Sequence, residues 1–210
     1  MFTGIIRTLG TVASASTIVG GNRRLVINPD APWSSPAPRA GDSIAVDGCC
    51  LTLVPAPAES FVFEAIPETL AKTTLGMLAP GDRVHLEQAA TASTLLDGHL
   101  VQGHIDGVAV VDRVDTAEGW RLRLRPPPDL MPYVVPKGSV CLAGVSLTVA
   151  AVSPAEGWFE VALIPTTLDL TLLGRLVRGS RVNLECDATA KTIVHYLRHY
   201  ADQRRDLQGA

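Results

Sequence analysis

The 210-residue chain carries a net charge of −3, is 47% apolar and has no run of lysine or arginine. That length suits two compact domains of about 100 residues, each able to bury a core. The charge balance excludes the basic face that nucleic-acid binding needs to displace counterions, and no apolar stretch approaches the ~18 residues of a membrane span.

Residues 1–7 have neither the basic start nor the long apolar stretch of a signal peptide. The four cysteines, Cys49, Cys50, Cys141 and Cys186, form no Cys-x-x-Cys pair. A zinc ribbon and a disulfide framework are both disfavoured, so a reduced, cytoplasmic protein is expected.

Taken in order, the chain reads as two copies, residues 1–97 and 98–187, followed by a C-terminal helix and tail over 188–210. Phe2-Thr3-Gly4-Ile5-Ile6 aligns with Val101-Gln102-Gly103-His104-Ile105. Arg24-Leu25-Val26-Ile27 aligns with Arg121-Leu122-Arg123-Leu124, and a proline-rich stretch follows each. Gly48-Cys49-Cys50-Leu51-Thr52-Leu53 then recurs as Gly144-Val145-Ser146-Leu147-Thr148-Val149, and residues 61–67 recur as 159–165. Gly81-x-Arg83-Val84-x-Leu86-Glu87 matches Gly179-x-Arg181-Val182-x-Leu184-Glu185. The last block aligns without a gap, and such self-similarity is the mark of duplication.

Within a copy, segments of four to seven residues rich in Val, Ile, Leu and Thr are separated by Gly, Pro, Asn and Asp. About six short strands per hundred residues suggest a sandwich or a barrel. Closure is favoured because a small open sheet leaves exposed edges. The segments Thr69–Gly76 and Thr167–Gly174 each read as one short helix, with the threonine near its start and the glycine as C-cap. The spacing of Ile193, Leu197, Tyr200 and Ala201 predicts an amphipathic helix over 188–205, with Lys191, Arg198 and Arg204 off its apolar stripe. Packing on a sister subunit and packing back on its own barrel both satisfy that stripe.

Polar residues that break the internal symmetry are the candidates for chemistry. Cys50 faces Ser146, Lys137 stands where the first copy has Gly41, His104 where it has Ile5, and Asp187 where it has Ala89. Each also has a plain structural role open to it. Cys50 suits a core as a small hydrophobe, Ser146 and Thr148 suit strand surfaces, Lys137 suits a turn and Asp187 suits a helix N-cap. His99 and His104, five apart, do not form a usual ligand pair, and no metal-ligand spacing is present. Nucleotide-binding glycine motifs and a Gly-x-Ser-x-Gly elbow are absent.

The collinear motifs carry the resemblance further. Residues 1–6, 48–53, Glu68-Thr69-Leu70, Gly98-His99-Leu100-Val101-Gln102-Gly103-His104-Ile105-Asp106-Gly107, Lys137-Gly138-Ser139, 144–149 and Asn183-Leu184-Glu185-Cys186-Asp187 together resemble the riboflavin synthase family, of the type with two barrels per chain. The resemblance covers nearly the whole chain. It implies an all-β fold of two tandem six-stranded Greek-key barrels and a C-terminal helix. It also implies a transferase that dismutates two molecules of 6,7-dimethyl-8-ribityllumazine to riboflavin and 5-amino-6-ribitylaminouracil, without metal or redox cofactor. A homotrimer associating through the C-terminal helices is implied, with each active site between barrels of neighbouring subunits, and lumazine synthase is a partner to consider.

By the same resemblance, Phe2, Gly4, Ile5, Ile6, Cys50, Leu51, Thr52, Glu64, Ala65, Ile66, Pro67, Glu68 and Thr69 line the first pocket. Gly103, His104, Ile105, Lys137, Ser146, Leu147, Thr148, Ala162, Leu163, Ile164, Pro165, Thr166 and Thr167 line the second. The reaction needs a base for the acidic 7-methyl group, for which His104 and Ser146 are the candidates. Lys137 stabilises the ring anion, Asp187 orients that set or acts as base, and Cys50 positions or activates the acceptor. Departures from the family pattern fall at Asp47-Gly48-Cys49, Ala143 and Thr166. The alternative is a non-enzymatic lumazine- or flavin-binding relative. A flavin-reductase-type barrel is disfavoured because its Arg-x-Tyr-Ser/Thr motif and nucleotide domain are missing.

Overall fold

The computed structural model describes residues 1–31, 33, 37–56 and 60–201. Strands β1 (Thr8–Thr17), β2 (Arg23–Pro29), β3 (Ser43–Val46), β4 (Cys49–Thr52), β5 (Phe61–Ala65) and β6 (Arg83–Gln88) form one antiparallel sheet in the order β4-β3-β6-β1-β2-β5. Strands β7 (Gly107–Asp115), β8 (Trp120–Arg125), β9 (Ser139–Leu142), β10 (Val145–Ser153), β11 (Trp158–Leu163) and β12 (Arg181–Cys186) repeat that order and close into a barrel. The duplicated all-β fold read from the sequence is the one observed.

Among the described residues only the second copy closes fully, and the sequence says why. β10 runs on to Ser153 and pairs with β11 from Val149↔Val161 to Ser153↔Trp158. The matching β4 stops at Thr52, and its edge meets β5 through one bridge, Leu53↔Phe63. Pro55 follows, and proline has no N–H with which to continue a ladder.

Period-2 alternation builds the two cores. In β2, Leu25 and Ile27 point inward beside Phe63, Ile44 and Leu86. In β8, Leu122 and Leu124 do the same beside Phe159, Leu142 and Leu184. A third, smaller cluster of Phe2, Ala45, Val101 and Cys141 lies between the barrels. Phe2 and Val101 pair there as antiparallel backbone, with Phe2 N donating to Val101 O at 2.7 Å and Val101 N to Phe2 O at 3.1 Å.

The two helical segments differ from the single helices expected. Each begins at its proline, as α1 (Pro67–Lys72) and α2 (Pro165–Leu170), because Pro is pre-set for the first helical turn. Each then breaks at Thr73 or Thr171, whose hydroxyl donates to the carbonyl of Thr69 or Thr167 and accepts from Leu75 N or Leu173 N. A separate 3₁₀ turn follows, Thr74–Met77 or Leu173–Arg175, so Gly76 and Gly174 lie inside these turns rather than capping a helix.

The terminal helix α3 (Ala188–His199) is shorter than the span expected; residues 202–205, Arg204 among them, lie outside the described residues. Its Lys191 pairs with Asp106 at 3.0 Å, and Arg198 stands over the Tyr133 ring at 5.6 Å, so its polar face lies on its own barrel. The stripe of Ile193, Tyr196, Leu197 and Tyr200 stays 42–58% exposed. Among the described residues no helix is long and apolar enough to cross a membrane.

Candidate functional site

Two start segments, one per copy, cross between the barrels. Glu87, near the end of β6, accepts Thr3 N at 2.7 Å, Thr3 Oγ1 at 2.7 Å and Gly4 N at 3.0 Å. Glu185 of β12 accepts Gln102 N at 2.7 Å and Gly103 N at 2.9 Å in the same way. Burial pushes both carboxyls above the usual range, opposed in each case by the N–H donors.

The far side of each segment touches the opposite copy. Gly4 O accepts the backbone N–H of Ser146 at 2.8 Å, and Gly103 O accepts that of Cys50 at 2.8 Å. Both glycines have left-handed φ, +75° and +79°, and a Cβ on either would stand 2.6 Å from the Cβ of Ser146 or Cys50. Only glycine fits both conditions.

This crossing seats the start segments differently from the expected pocket linings. Gly4, Ile5 and Ile6 were expected beside Cys50, but Gly4 sits on Ser146 and Ile6 packs on the second barrel's core. Gly103, His104 and Ile105 were expected beside Ser146, but Gly103 sits on Cys50 and Ile105 packs on the first barrel's core. His104 is exposed and directly follows Gly103 in that segment. The reason for the crossing is the cradle of each glutamate, which fixes the segment's N–H edge on its own copy and turns its carbonyl edge to the other.

The partner of Ser146 is instead His99, whose Nδ1 lies 2.7 Å from Ser146 Oγ. A Cβ on Gly98 would stand 2.1 Å from Thr3 O and 3.0 Å from Ser146 Oγ, so the linker is threaded tightly past the serine. Burial holds the His99 pKa below the ordinary imidazole value, with the Asp187 charge pulling it back up. A neutral imidazole accepts at one nitrogen, and in the tautomer with its proton on Nε2, His99 can take the Ser146 hydroxyl proton at Nδ1. Asp187 also caps α3, its Oδ1 accepting Thr189 N at 2.6 Å and Ala190 N at 3.3 Å. His99 escaped the comparison of copies because it lies outside the segments that align.

The remaining candidates divide by strand alternation. Cys50 and Ser146 are half-buried, and Thr52 and Thr148 are exposed, all four on the outward face. The side chains of Phe2, Leu51, Ala65, Leu147 and Leu163 lie in the cores, so from these positions only backbone can meet a ligand. Glu64, Ile66, Pro67 and Glu68 are exposed around the start of α1, as are Ala162, Ile164, Pro165 and Thr166 around α2. Thr69 and Thr167 are half-buried. Lys137 occupies an exposed turn at φ +64°, its N–H donating to Val149 O at 2.9 Å. A cleft of about 620 Å³ between Trp120 and Arg178 lies apart from both Cys50 and Ser146. Among the described residues no cluster of three metal-ligating side chains occurs.

Known proteins resemble this chain in sequence and fold. The lumazine binding domain family matches twice, at residues 3–89 and 102–187. The riboflavin synthase of Mycobacterium tuberculosis (strain H37Rv) is 42% identical over 201 residues, covering 94% of this chain and 98% of that protein. The riboflavin synthase of Bacillus subtilis (strain 168) is 35% identical over 209 residues, covering 99% of this chain and 94% of that one. Among solved structures, LumP complexed with 6,7-dimethyl-8-(1'-D-ribityl) lumazine aligns with TM-score 0.77 at 26% identity, covering 89% of this chain and 99% of that one. LumP complexed with riboflavin aligns equally, with TM-score 0.77 at 26% identity.

Proposed function

The chain belongs to the riboflavin synthase family, and we infer that it is the transferase that converts two molecules of 6,7-dimethyl-8-ribityllumazine into riboflavin and 5-amino-6-ribitylaminouracil. The observation that carries this reading is the pair of related sites, Cys50 with Gly103 and Ser146 with Gly4, in a chain that matches riboflavin synthases along almost its full length. Two identical substrates call for two similar pockets. One molecule gives up a four-carbon unit and the other receives it, so the atoms of two lumazines are those of the two products and no external oxidant is needed. Positioning replaces a bimolecular collision with an oriented encounter, a contribution of up to about 7–11 kcal/mol.

At the second site, neutral His99 accepts the Ser146 proton, and together they relay the proton leaving the 7-methyl group. Asp187 keeps the imidazolium that forms from being an uncompensated charge. Lys137, on the rim, stabilises negative charge on the ring. At the first site, Cys50 and His104 position the acceptor. The exposed strand ends offer backbone N–H and C=O groups to the pyrimidine edge, and Thr52 and Thr148 offer hydroxyls to the ribityl chain.

The enzyme is a homotrimer in this reading, joined by the stripe of Ile193, Tyr196, Leu197 and Tyr200 that the described residues leave uncovered. Its four free cysteines suit the reducing cytoplasm.

The test is incubation of the purified protein with 6,7-dimethyl-8-ribityllumazine, with products separated by chromatography. Riboflavin and the aminouracil appearing in equal amounts support the reading. The likeness to LumP favours one alternative, a lumazine-binding protein without turnover. Tight binding with no product would establish that instead.

A further inference from the structure

The two barrels meet at a reciprocal joint that none of the site residues above belongs to. His85 and Asn183 hold the same place in their copies, third in the strands Arg83-Val84-His85-Leu86-Glu87 and Arg181-Val182-Asn183-Leu184-Glu185. His85 reaches across to the second copy. Its Nδ1 is 2.8 Å from Ala143 O, and its Nε2 accepts Leu172 N at 2.7 Å. Asn183 reaches back to the first copy, with Nδ2 donating to Asp47 O at 2.9 Å and Oδ1 accepting Thr74 N at 2.7 Å. Each therefore binds the hairpin turn and the 3₁₀ turn of the other barrel. The hairpin turns themselves abut, since a Cβ on Gly48 would stand 2.5 Å from Gly144 N.

Because Leu172 N–H donates to Nε2, the ring proton of His85 sits on Nδ1 and points at the Ala143 carbonyl. A neutral histidine thus imitates an asparagine side chain, with one donor and one acceptor used across the joint. His85 is 2% exposed and Asn183 is fully buried, so neither set of bonds can be exchanged for water without opening the joint.

The joint lies one residue along each strand from Leu86 or Leu184, and two from the glutamates that cradle the crossing segments. The same strands therefore fix the barrel-to-barrel register and the seats of Gly4 on Ser146 and Gly103 on Cys50. Resting on the reading of the chain as a riboflavin synthase, we propose that His85 and Asn183 are positioning residues for the reaction: together they lock the register of the barrels on which both substrate sites depend.

The experiment compares the full-length wild type with His85→Leu, Asn183→Leu and His85→Asn, the last copying the second barrel's residue into the first. Lumazine binding is followed by fluorescence and turnover by riboflavin formation, at a temperature where circular dichroism shows each variant folded. His85→Leu and Asn183→Leu are expected to weaken both readouts at least tenfold, with the double variant no worse than either alone. His85→Asn is expected to recover both to within about threefold of wild type, since its amide supplies the same donor and acceptor. Leucine variants that bind and turn over like wild type would overturn the proposal, as would a His85→Asn variant no better than His85→Leu. A wild type that binds lumazine but forms no riboflavin would overturn the functional reading alone, and binding would still decide the positioning role.

Discussion

Gly103 and Cys50 come from different copies of the duplicated unit, yet the carbonyl of one receives the N–H of the other at 2.8 Å, and the two are close enough that a methyl group on Gly103 would overlap the cysteine Cβ. Gly4 and Ser146 repeat that relationship with the copies exchanged. Gly103→Ala and Gly4→Ala each combine a left-handed φ with a 2.6 Å overlap. Either substitution is expected to lower turnover at least a hundredfold, following the cost of about 1 Å of misplacement. Equal rates for alanine and glycine at position 4 would show that the crossing segment is not part of the site.

His99→Ala removes the acceptor beside Ser146 Oγ. The expected result is a fall of roughly 10²–10⁴ in kcat, the range of a lost general base, with circular dichroism unchanged. Because burial lowers the His99 pKa, the acid limb of kcat/KM is expected below pH 6.5. Ser146→Ala should remove the serine's share of the relay and cost no more than the histidine does. Both are read in steady-state assays across pH 4–9.

Glu87→Ala strips a buried acceptor from Thr3 N–H, Thr3 Oγ1 and Gly4 N–H. Orphaned buried donors cost about 1–3 kcal/mol each before relaxation. A net loss of roughly 2–4 kcal/mol is expected, which is about 4–16 °C in Tm for a chain of this size. Calorimetry on Glu87→Ala and Glu185→Ala would check it, the second being milder because it frees only Gln102 N–H and Gly103 N–H.

Asp47 and His85 give the joint two opposed titrations. Burial lowers His85 to about 4, so its contribution is complete above the ordinary imidazole pKa near 6.5 and is lost as pH falls toward 4. Burial raises Asp47 from 3.8 to about 7, against the hydrogen bond from His85 N–H. Its contribution is complete below 3.8 and is lost as pH rises toward 7. Arg83 and Arg181 line the same 150 Å³ cavity, and Asp82 adds a weaker push on Asp47. Over pH 4–6.5 the two slopes offset one another in the wild type. Asp47→Asn is expected to expose the histidine alone, with stability falling by up to roughly 3 kcal/mol as pH drops from 6.5 to 4. His85→Asn should show the reverse, stability falling as pH rises from 4 to 7. Urea titrations at five pH values measure both slopes, and parallel profiles for the two variants would refute the pairing.

Leu197→Asp places a carboxylate in the uncovered stripe of α3, where Leu197 is 58% exposed. It is expected to convert a trimer to monomer in light scattering while leaving the strand signal in circular dichroism intact.

The copies, their order and the all-β class were legible because duplication prints the same strand twice. The broken helices were not, since Thr73 and Thr171 look like ordinary helix residues until their hydroxyls are seen to cap the following turn. Cys50 and Ser146 stood out as an asymmetric pair, but the exchange of their glycine partners is a tertiary fact that no alignment of one copy on the other contains. His99 lies outside the segments that align. His85 did differ, from Asn183, at a position that reads as a free choice within a matched strand. What it contacts lies in the other barrel, beyond any local pattern.

The crossing of the start segments also bears on how such a chain can change over time. A substitution in the glycine loop of one copy is felt first at the Cys50 or Ser146 strand of the other, so under the proposed function neither copy would keep a complete site of its own. The two halves cannot drift independently as ordinary tandem repeats do. A change at Cys50 or Ser146 is compatible with the fold only while the opposite copy's glycine segment keeps its place.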